Sequence, residues 1–436
     1  MAERTPGAAR FPREPIDSLI EPIERFMHVE AAGGIVLLAC TVVALVIANS
    51  PFADAYHHFW ETEIGITVGG LRLSHSIEHW INDGLMALFF FVVGLEVKRE
   101  LVLGELRDPR RAALPLVAAV GGMAVPAAVY LALQMGGPAQ RGWGIPMATD
   151  IAFVVGCMAV LGKRVSHGLR VMILTLAIAD DIGAILVIAL GYSTGIHLVP
   201  LALGVAGAAM IVALARLGVR SFGVYTLVGA LVWLAFLQSG IHATLAGVVL
   251  GLLTPARAYL SESVFAQFLQ RTAETVRGGP PDVASVRDLE RATRETVSPL
   301  AYLETCLHPW VGFVVMPIFA LANAGVPMGA GLLHHPVALA VAAGLVVGKP
   351  LGIVATSWLA VRLGIARLPD GASWTAIAAG GCLAGIGFTM ALFVAGLALQ
   401  ESSLEAAKVG VLAGSLVAAA LGLGLFVASA PARADG

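Results

Sequence analysis

Apolar residues fall in long unbroken blocks along the chain, near 31–50, 76–97, 112–133, 144–161, 169–192, 198–215, 222–237, 240–253, 307–326, 336–361, 375–398 and 409–428. A helix needs about 20 apolar residues to cross a bilayer, and a segment in lipid must satisfy its own backbone hydrogen bonds. The blocks therefore predict an all-α polytopic membrane protein with twelve transmembrane helices. The blocks at 222–237 and 240–253 are short and nearly contiguous, which fits a tilted hairpin pair or one broken helix. Between the first two spans the pattern changes. Ile64–Val68 and Leu71–Ser74 flank Gly69-Gly70, and two glycines suit the positive φ of a tight two-residue turn. This predicts a small outer β-hairpin over about 62–75. The longest polar connection, about 254–298, surrounds Gly278-Gly279-Pro280-Pro281 and reads as an amphipathic helical stretch followed by a flexible linker.

Composition agrees with lipid as the solvent. Of 436 residues, 58% are hydrophobic and 13% charged, with mean hydropathy +0.85; soluble domains run about 25% charged. The formal net charge of −2 gives no electrostatic case for nucleic-acid binding. With twelve spans, one side of the membrane collects 23 of the 27 lysines and arginines. The positive-inside rule makes that side cytoplasmic, with both termini on it. The domain plan is then a cytoplasmic tail at 1–28, one transmembrane unit at 29–430 and a cytoplasmic tail at 431–436. The first 28 residues hold four arginines and no apolar h-region, so the first span is expected to direct insertion. Cys40, Cys157, Cys306 and Cys382 lack CxxC spacing and read as small buried apolar residues. Small-xxx-small pairs such as Gly247/Gly251, Gly344/Gly348 and Gly410/Gly414 predict closely packed helices.

The informative residues are charges inside these blocks. Asp180 and Asp181 lie mid-span, Asp150 follows Pro146-Met147-Ala148-Thr149, and Lys349 lies between Gly348 and Pro350. Each charge at a bilayer centre costs about 2.5–3.5 kcal/mol on insertion scales, so pairing, hydration or ligation is expected. Three acids against one base leave a surplus that a purely structural bridge does not require. Carboxylate oxygens suit hard cations such as Na⁺ or Li⁺, and they also accept protons. A site that holds either a cation or protons exchanges the two when presented alternately to each side. Adjacent acids on a helix point about 100° apart, so Asp181 can face a cavity while Asp180 faces a neighbouring helix. Gly142, Gly144 and Pro146 in span 4, and Gly380, Gly381, Gly385 and Gly387 in span 11, interrupt two helices. Interruptions in matching positions of two halves mark broken, crossing helices within inverted repeats, a generalisation that already counts the family named next among its examples.

Nine strings in order resemble the bacterial NhaA-type sodium/proton antiporters. They are Trp80–Ala87, Gly94–Leu101, Ala148–Phe153, Ala177–Ala184, Ser239–Gly247, Leu307–Trp310, Ala322–Val326, Gly348–Gly352 and Gly385–Met390. The resemblance implies an electrogenic, pH-regulated antiporter of the bacterial inner membrane. It would carry cytoplasmic Na⁺ or Li⁺ out against protons, with no cofactor and no enzymatic activity. Asp181 would be the principal cation ligand and proton carrier, and Asp180 its partner, pairing with Lys349 when cation is absent. Thr149 and Asp150 would lie where the broken helices cross. Asp150 would offset helix N-terminal charge there, and Lys349 C-terminal charge. Glu96, Arg99, Glu100, Glu304 and His308 would form a cytoplasmic pH-sensing region. Asp83 would lie near the outer end of its span. The outer hairpin would join two copies as a homodimer. The 254–298 loop is longer than the family pattern, and Thr305 stands where some members have histidine.

Other readings are weaker. An intramembrane aspartyl protease needs two facing carboxyls that share a proton, whereas Asp180 and Asp181 are neighbours on one helix. His75-Ser76-Ile77-Glu78-His79 matches a zinc-peptidase string without an apparent third ligand. His57-His58 and His334-His335 read as surface pairs. Glu96, Arg99 and Glu100 at i, i+3 and i+4 also fit a simple interface cluster.

Overall fold

The computed structural model describes residues 32–68, 71–193, 195–278 and 282–429. The tails expected at 1–28 and 431–436 and the Gly69-Gly70 turn lie outside them. Helices dominate, in the order α1 (Ala32–Ala48), α2 (Ala53–Glu61), β1 (Glu63–Val68), β2 (Leu71–Ser76), α3 (Ile77–Val102), α4 (Pro109–Gln134), α5 (Ile151–Leu161), α6 (His167–Gly191), α7 (Leu198–Arg216), α8 (Phe222–Ser239), α9 (Thr244–Leu253), α10 (Glu262–Gly278), α11 (Val283–Thr296), α12 (Pro299–Asn323), α13 (Pro336–Arg362), α14 (Trp374–Ala384), α15 (Phe388–Ala398) and α16 (Glu401–Ala428). β1 and β2 pair antiparallel from Glu63↔Ser76 to Val68↔Leu71, in the register that the Gly-Gly spacing predicts.

Among the described residues nine helices are long and apolar enough to cross a membrane, or up to eleven when each of two bent pairs is one span. The difference from twelve lies at 240–253. There Gly240 takes φ +78° and ends α8, which leaves α9 only ten residues. The bent pairs are α1–α2, at 114°, and α14–α15, at 48°. Elsewhere the helices outrun the apolar blocks: α3 continues to Val102 and α12 begins at Pro299. Both extensions carry charged residues into the bundle end.

Two expectations are corrected. Cys306 is exposed, since α12 turns that face outward, and Cys40 and Cys157 are half-buried, so of the four only Cys382 is buried. The region after Gly278 is not all linker. Val283–Thr296 is helical because Asp282 accepts the Ser285 amide at 3.0 Å as an N-cap and the Arg291–Glu295 and Arg294–Glu290 pairs bridge successive turns.

Close helix approach is written in glycine. A Cβ on Gly94 of α3 would meet Val248 O of α9 at 2.7 Å, and one on Gly251 would meet Phe91 O at 2.6 Å. Leu190, Val160, Leu198 and Leu416 are exposed on the outside, where lipid replaces water as their neighbour. Of the nine single spans among the described residues, α6, which carries Asp180 and Asp181, is the most buried and α7 the most exposed, and the bent pair α14–α15 is more buried still.

Candidate ion-binding site

The site begins as a break in two helices. In span 4, Gly142, Gly144 and Pro146 give a 3₁₀ segment, Gln140–Met147, and then extended backbone at Ala148–Asp150 before α5 starts. In span 11, Gly385 to Gly387 separate α14 from α15. The breaks touch. The Asp150 amide donates to Ile386 O at 2.7 Å, and Thr149 Oγ1 donates to Ala384 O at 2.9 Å. A Cβ on Gly387 would lie 3.1 Å from Ala148 O, so a side chain there would crowd the contact. The 3₁₀ half of span 4 packs beside α15 and the α5 half beside α14, so the two interrupted segments run antiparallel past each other.

Unsatisfied helix ends meet charge here. Asp150 caps α5 by accepting the Phe153 amide at 3.3 Å. Its other oxygen accepts the Thr389 amide of α15 at 3.0 Å and the Thr389 hydroxyl. One carboxylate thus faces two helix N-termini, where partial positive charge collects. Lys349 does the converse. Its Nζ donates to Met147 O, the last carbonyl of the 3₁₀ segment, and lies 2.8 Å from Asp180 Oδ2. Thr149 Oγ1 also lies 2.7 Å from Asp180 Oδ2, so its single proton is shared between that carboxylate and Ala384 O. Lys349 follows a π-helical turn, Gly344–Gly348, within α13.

Asp180 and Asp181 face apart, as adjacent helical residues must. Asp180 is fully buried against Lys349 and Thr149. Asp181 is 2% exposed, and its Oδ1 has no hydrogen-bond partner among the described residues. Glu96, Asp150 and Lys349 lie near enough to act on its charge. A buried polar atom without a partner is a costly feature, and here it is an oxygen suited to a hard cation or a proton. Among the described residues no three His, Cys, Asp or Glu side chains form a cluster of the kind that holds a metal ion.

The second predicted group comes together at one end of α3 and α12. Arg99 pairs with Glu304 and lies 3.7 Å from Glu100. His308 Nδ1 lies 3.7 Å from Glu96 Oε1. At the other end of the same two helices, Asn82 and Asn323 exchange amide hydrogen bonds of 3.3 and 2.8 Å. Asp83 is paired with His79 at 3.0 Å, which gives that histidine a partner other than a metal. A cavity of about 1070 Å³ lies elsewhere, between Ala87, Phe91, Trp233 and Arg291, and none of the four intramembrane charges lines it.

Two residues of the site carry no signal of their own in the sequence. Thr389 sits inside a matching string but has no charge to mark it, and Ser415, which accepts the Phe388 amide at 3.2 Å, belongs to no string.

The family described as Na+/H+ antiporter 1 matches residues 24–426. The chain belongs to that family. It is 54% identical over 428 residues to Na(+)/H(+) antiporter NhaA of Rhodopirellula baltica, covering 97% of each chain. It is 51% identical over 436 residues to Na(+)/H(+) antiporter NhaA 2 of Acidiphilium cryptum, covering 99% of this chain and 97% of the relative. It is 50% identical over 435 residues to Na(+)/H(+) antiporter NhaA of Rhizobium meliloti, covering 98% and 99%. These relatives are named as antiporters, which are transporters and not enzymes.

Proposed function

We propose that the chain is an electrogenic, pH-regulated antiporter that moves Na⁺ or Li⁺ out of the cell against entering protons. The observation that carries this reading is the unequal pair on α6. Asp180 is paired with Lys349 through Oδ2 and leaves Oδ1 without a partner, while Asp181 has no cation paired to it and also presents a buried Oδ1 without a partner among the described residues. A cation competes with a proton for Asp181, and Thr149 and Asp180 stand within one turn of the same helix crossing. Cation arrival displaces protons and loosens the Lys349–Asp180 pair; proton return restores it. Asp150 and Lys349 hold opposite helix-end charges, so the broken segments can shift together without exposing bare helix ends to lipid. Alternate opening of this crossing to the two sides converts competition into exchange.

Competition fixes the sign of the pH response. At low pH the carboxyls keep their protons and cation binding is suppressed, so turnover rises as cytoplasmic pH rises. The cluster of Glu96, Arg99, Glu100, Glu304 and His308 is proposed to sense that pH, since it joins the helix α3 that acts on Asp181 to α12. The proposed setting is the bacterial inner membrane, with twelve spans in inverted repeats and both termini cytoplasmic. The β1–β2 hairpin is proposed to pair with a second copy through its open edge. Removal of residues 63–76 is expected to give a monomer by light scattering in detergent; a persistent dimer would exclude the hairpin contact.

The test of function uses everted vesicles from a host without its own antiporters. With an acid interior imposed, added Na⁺ or Li⁺ is expected to dissipate the pH gradient, steeply with pH, and Asp181→Asn is expected to abolish the response. No response from the inserted unmodified chain, or full response from Asp181→Asn, would overturn the reading.

A further inference from the structure

The start of α15 is unusual for a helix that begins inside a membrane. Its N-cap is Gly387, which offers no side chain to the first amides. Those amides are buried, and lipid supplies no acceptor. Two partners from other segments take them. The Thr389 amide goes to Asp150, as described. The Phe388 amide goes to Ser415 Oγ at 3.2 Å, in a bond buried between α15 and α16. Ser415 is 5% exposed in the otherwise apolar stretch 409–428 of α16, and its neighbour Gly414 packs with a would-be Cβ 3.1 Å from Ala342 Cα. α16 is therefore held close, and the hydroxyl has a fixed address.

From this geometry we infer that Ser415 is a positioning residue for the exchange reaction: by holding the first amide of α15 it sets how that helix end meets Asp150. The inference rests on the antiporter reading and extends it to a residue outside the charged set. The physical reason is the sharing of donors. Asp150 accepts from Phe153, from the Thr389 amide and from the Thr389 hydroxyl. When the hydroxyl of Ser415 is removed, the Phe388 amide has no acceptor where it lies. It then turns toward Asp150, adding a donor there, or the first turn of α15 shifts and draws Thr389 away. Either change alters the charge balance at the crossing, where Lys349 pairs with Asp180 and where Asp150 and Glu96 act on the charge of Asp181. Ser415 itself touches none of the oxygens proposed to hold the ion, so its effect runs through Asp150.

A comparison of three variants in everted vesicles tests this, with inserted protein measured by immunoblot. Ser415→Ala is expected to raise the Na⁺ concentration for half-maximal exchange about three- to tenfold, the range that one hydrogen bond commands. It is also expected to displace the pH profile while the rate at saturating Na⁺ is kept. Ser415→Thr keeps a hydroxyl and is expected to restore both readouts. Ser357→Ala is the control, because Ser357 Oγ is buried in α13 without a partner among the described residues; it is expected to match the unmodified chain. Unmodified half-saturation and pH profile in Ser415→Ala would overturn the inference, as would a Ser415→Thr variant equally impaired. If Ser415→Ala does not accumulate, Ser415→Cys, similar in size but a weak acceptor, takes its place in the same comparison. Exchange absent from the unmodified chain would remove the antiporter reading itself; exchange present and indifferent to Ser415 would remove only the positioning role.

Discussion

Lys349 serves two oxygens that would otherwise conflict. Met147 O is a helix-end carbonyl and Asp180 Oδ2 a carboxylate, and both lie in a region closed to water. Removing one member of a buried ion pair costs about 3–5 kcal/mol, whereas replacing both by neutral groups is often close to neutral. Lys349→Met is therefore expected to lower the unfolding temperature in detergent substantially, and Lys349→Met with Asp180→Asn is expected to recover most of the loss. A double variant as unstable as the single one would show that the lysine acts through the Met147 carbonyl instead. At this scale the sequence was informative wherever a charge interrupted an apolar block. Asp150, Asp180, Asp181 and Lys349 were visible because lipid makes them expensive. Thr389 and Ser415 were not, because serine and threonine in apolar helices ordinarily bond their own i−4 carbonyl, and nothing in the string distinguishes those that reach another helix.

Elements were legible to the extent that their cause was local. The hairpin register follows from two glycines, and the breaks in spans 4 and 11 follow from glycine and proline. The small-xxx-small pairs found partners as expected: Gly344 and Gly348 lie against Pro146 and Pro126, and Gly410 against Ala338. The three π-helical turns among the described residues, Ile81–Leu85, Val311–Val315 and Gly344–Gly348, had no such signature, since one inserted residue leaves a uniformly apolar pattern unchanged. The 254–298 region was half legible. Its second helix depends on Asp282 and on contacts with the α7–α8 connection that no local pattern announces. There Glu295 pairs with Arg220 and Arg291, Arg220 stacks on Tyr259 at 4.7 Å, and the amides of Tyr259 and Leu260 donate to Glu295 O. Burial raises the Glu295 carboxyl, but the bonds and charge from Arg220 and Arg291 outweigh it and hold it below the usual carboxylate range. A lowered folded-state pKa gives stabilisation that is complete above the unfolded value, near pH ~4.3, and is lost as pH falls through the lowered value. The latch therefore does not titrate between about pH 6 and 9. Trypsin cleavage within 254–298 is expected to be slow and indifferent to pH over that range, and Arg220→Ala is expected to speed it at every pH. Cleavage of the unmodified chain that accelerates with pH would instead make this region part of the pH response.

For the molecule as a whole, the decisive property is how much charge crosses per turnover. The crossing carries three carboxylates and one ammonium in reach of one another, and Asp150 is committed to two helix N-termini. The proposed exchange then uses two groups on α6 for protons, Asp180 and Asp181, and the Oδ1 of each is buried without a hydrogen-bond partner among the described residues. In the proposed electrogenic cycle more protons than cations move, and net positive charge enters as Na⁺ leaves. Each net charge gains about 2.3 kcal/mol per 100 mV, and every 1.4 kcal/mol is a factor of ten. An interior-negative potential of about 100 mV should therefore sustain a Na⁺ gradient larger by more than tenfold than the pH gradient alone would support. In proteoliposomes at equal pH on both sides, a potassium diffusion potential set by valinomycin is expected to drive Na⁺ toward the positive side. Collapse of that potential is expected to stop the flux without inactivating the protein. Na⁺ flux that follows the pH gradient but ignores the potential would mean equal numbers of protons and cations. Asp180 would then keep its partner Lys349 throughout the cycle, and Asp181 alone would carry the exchange.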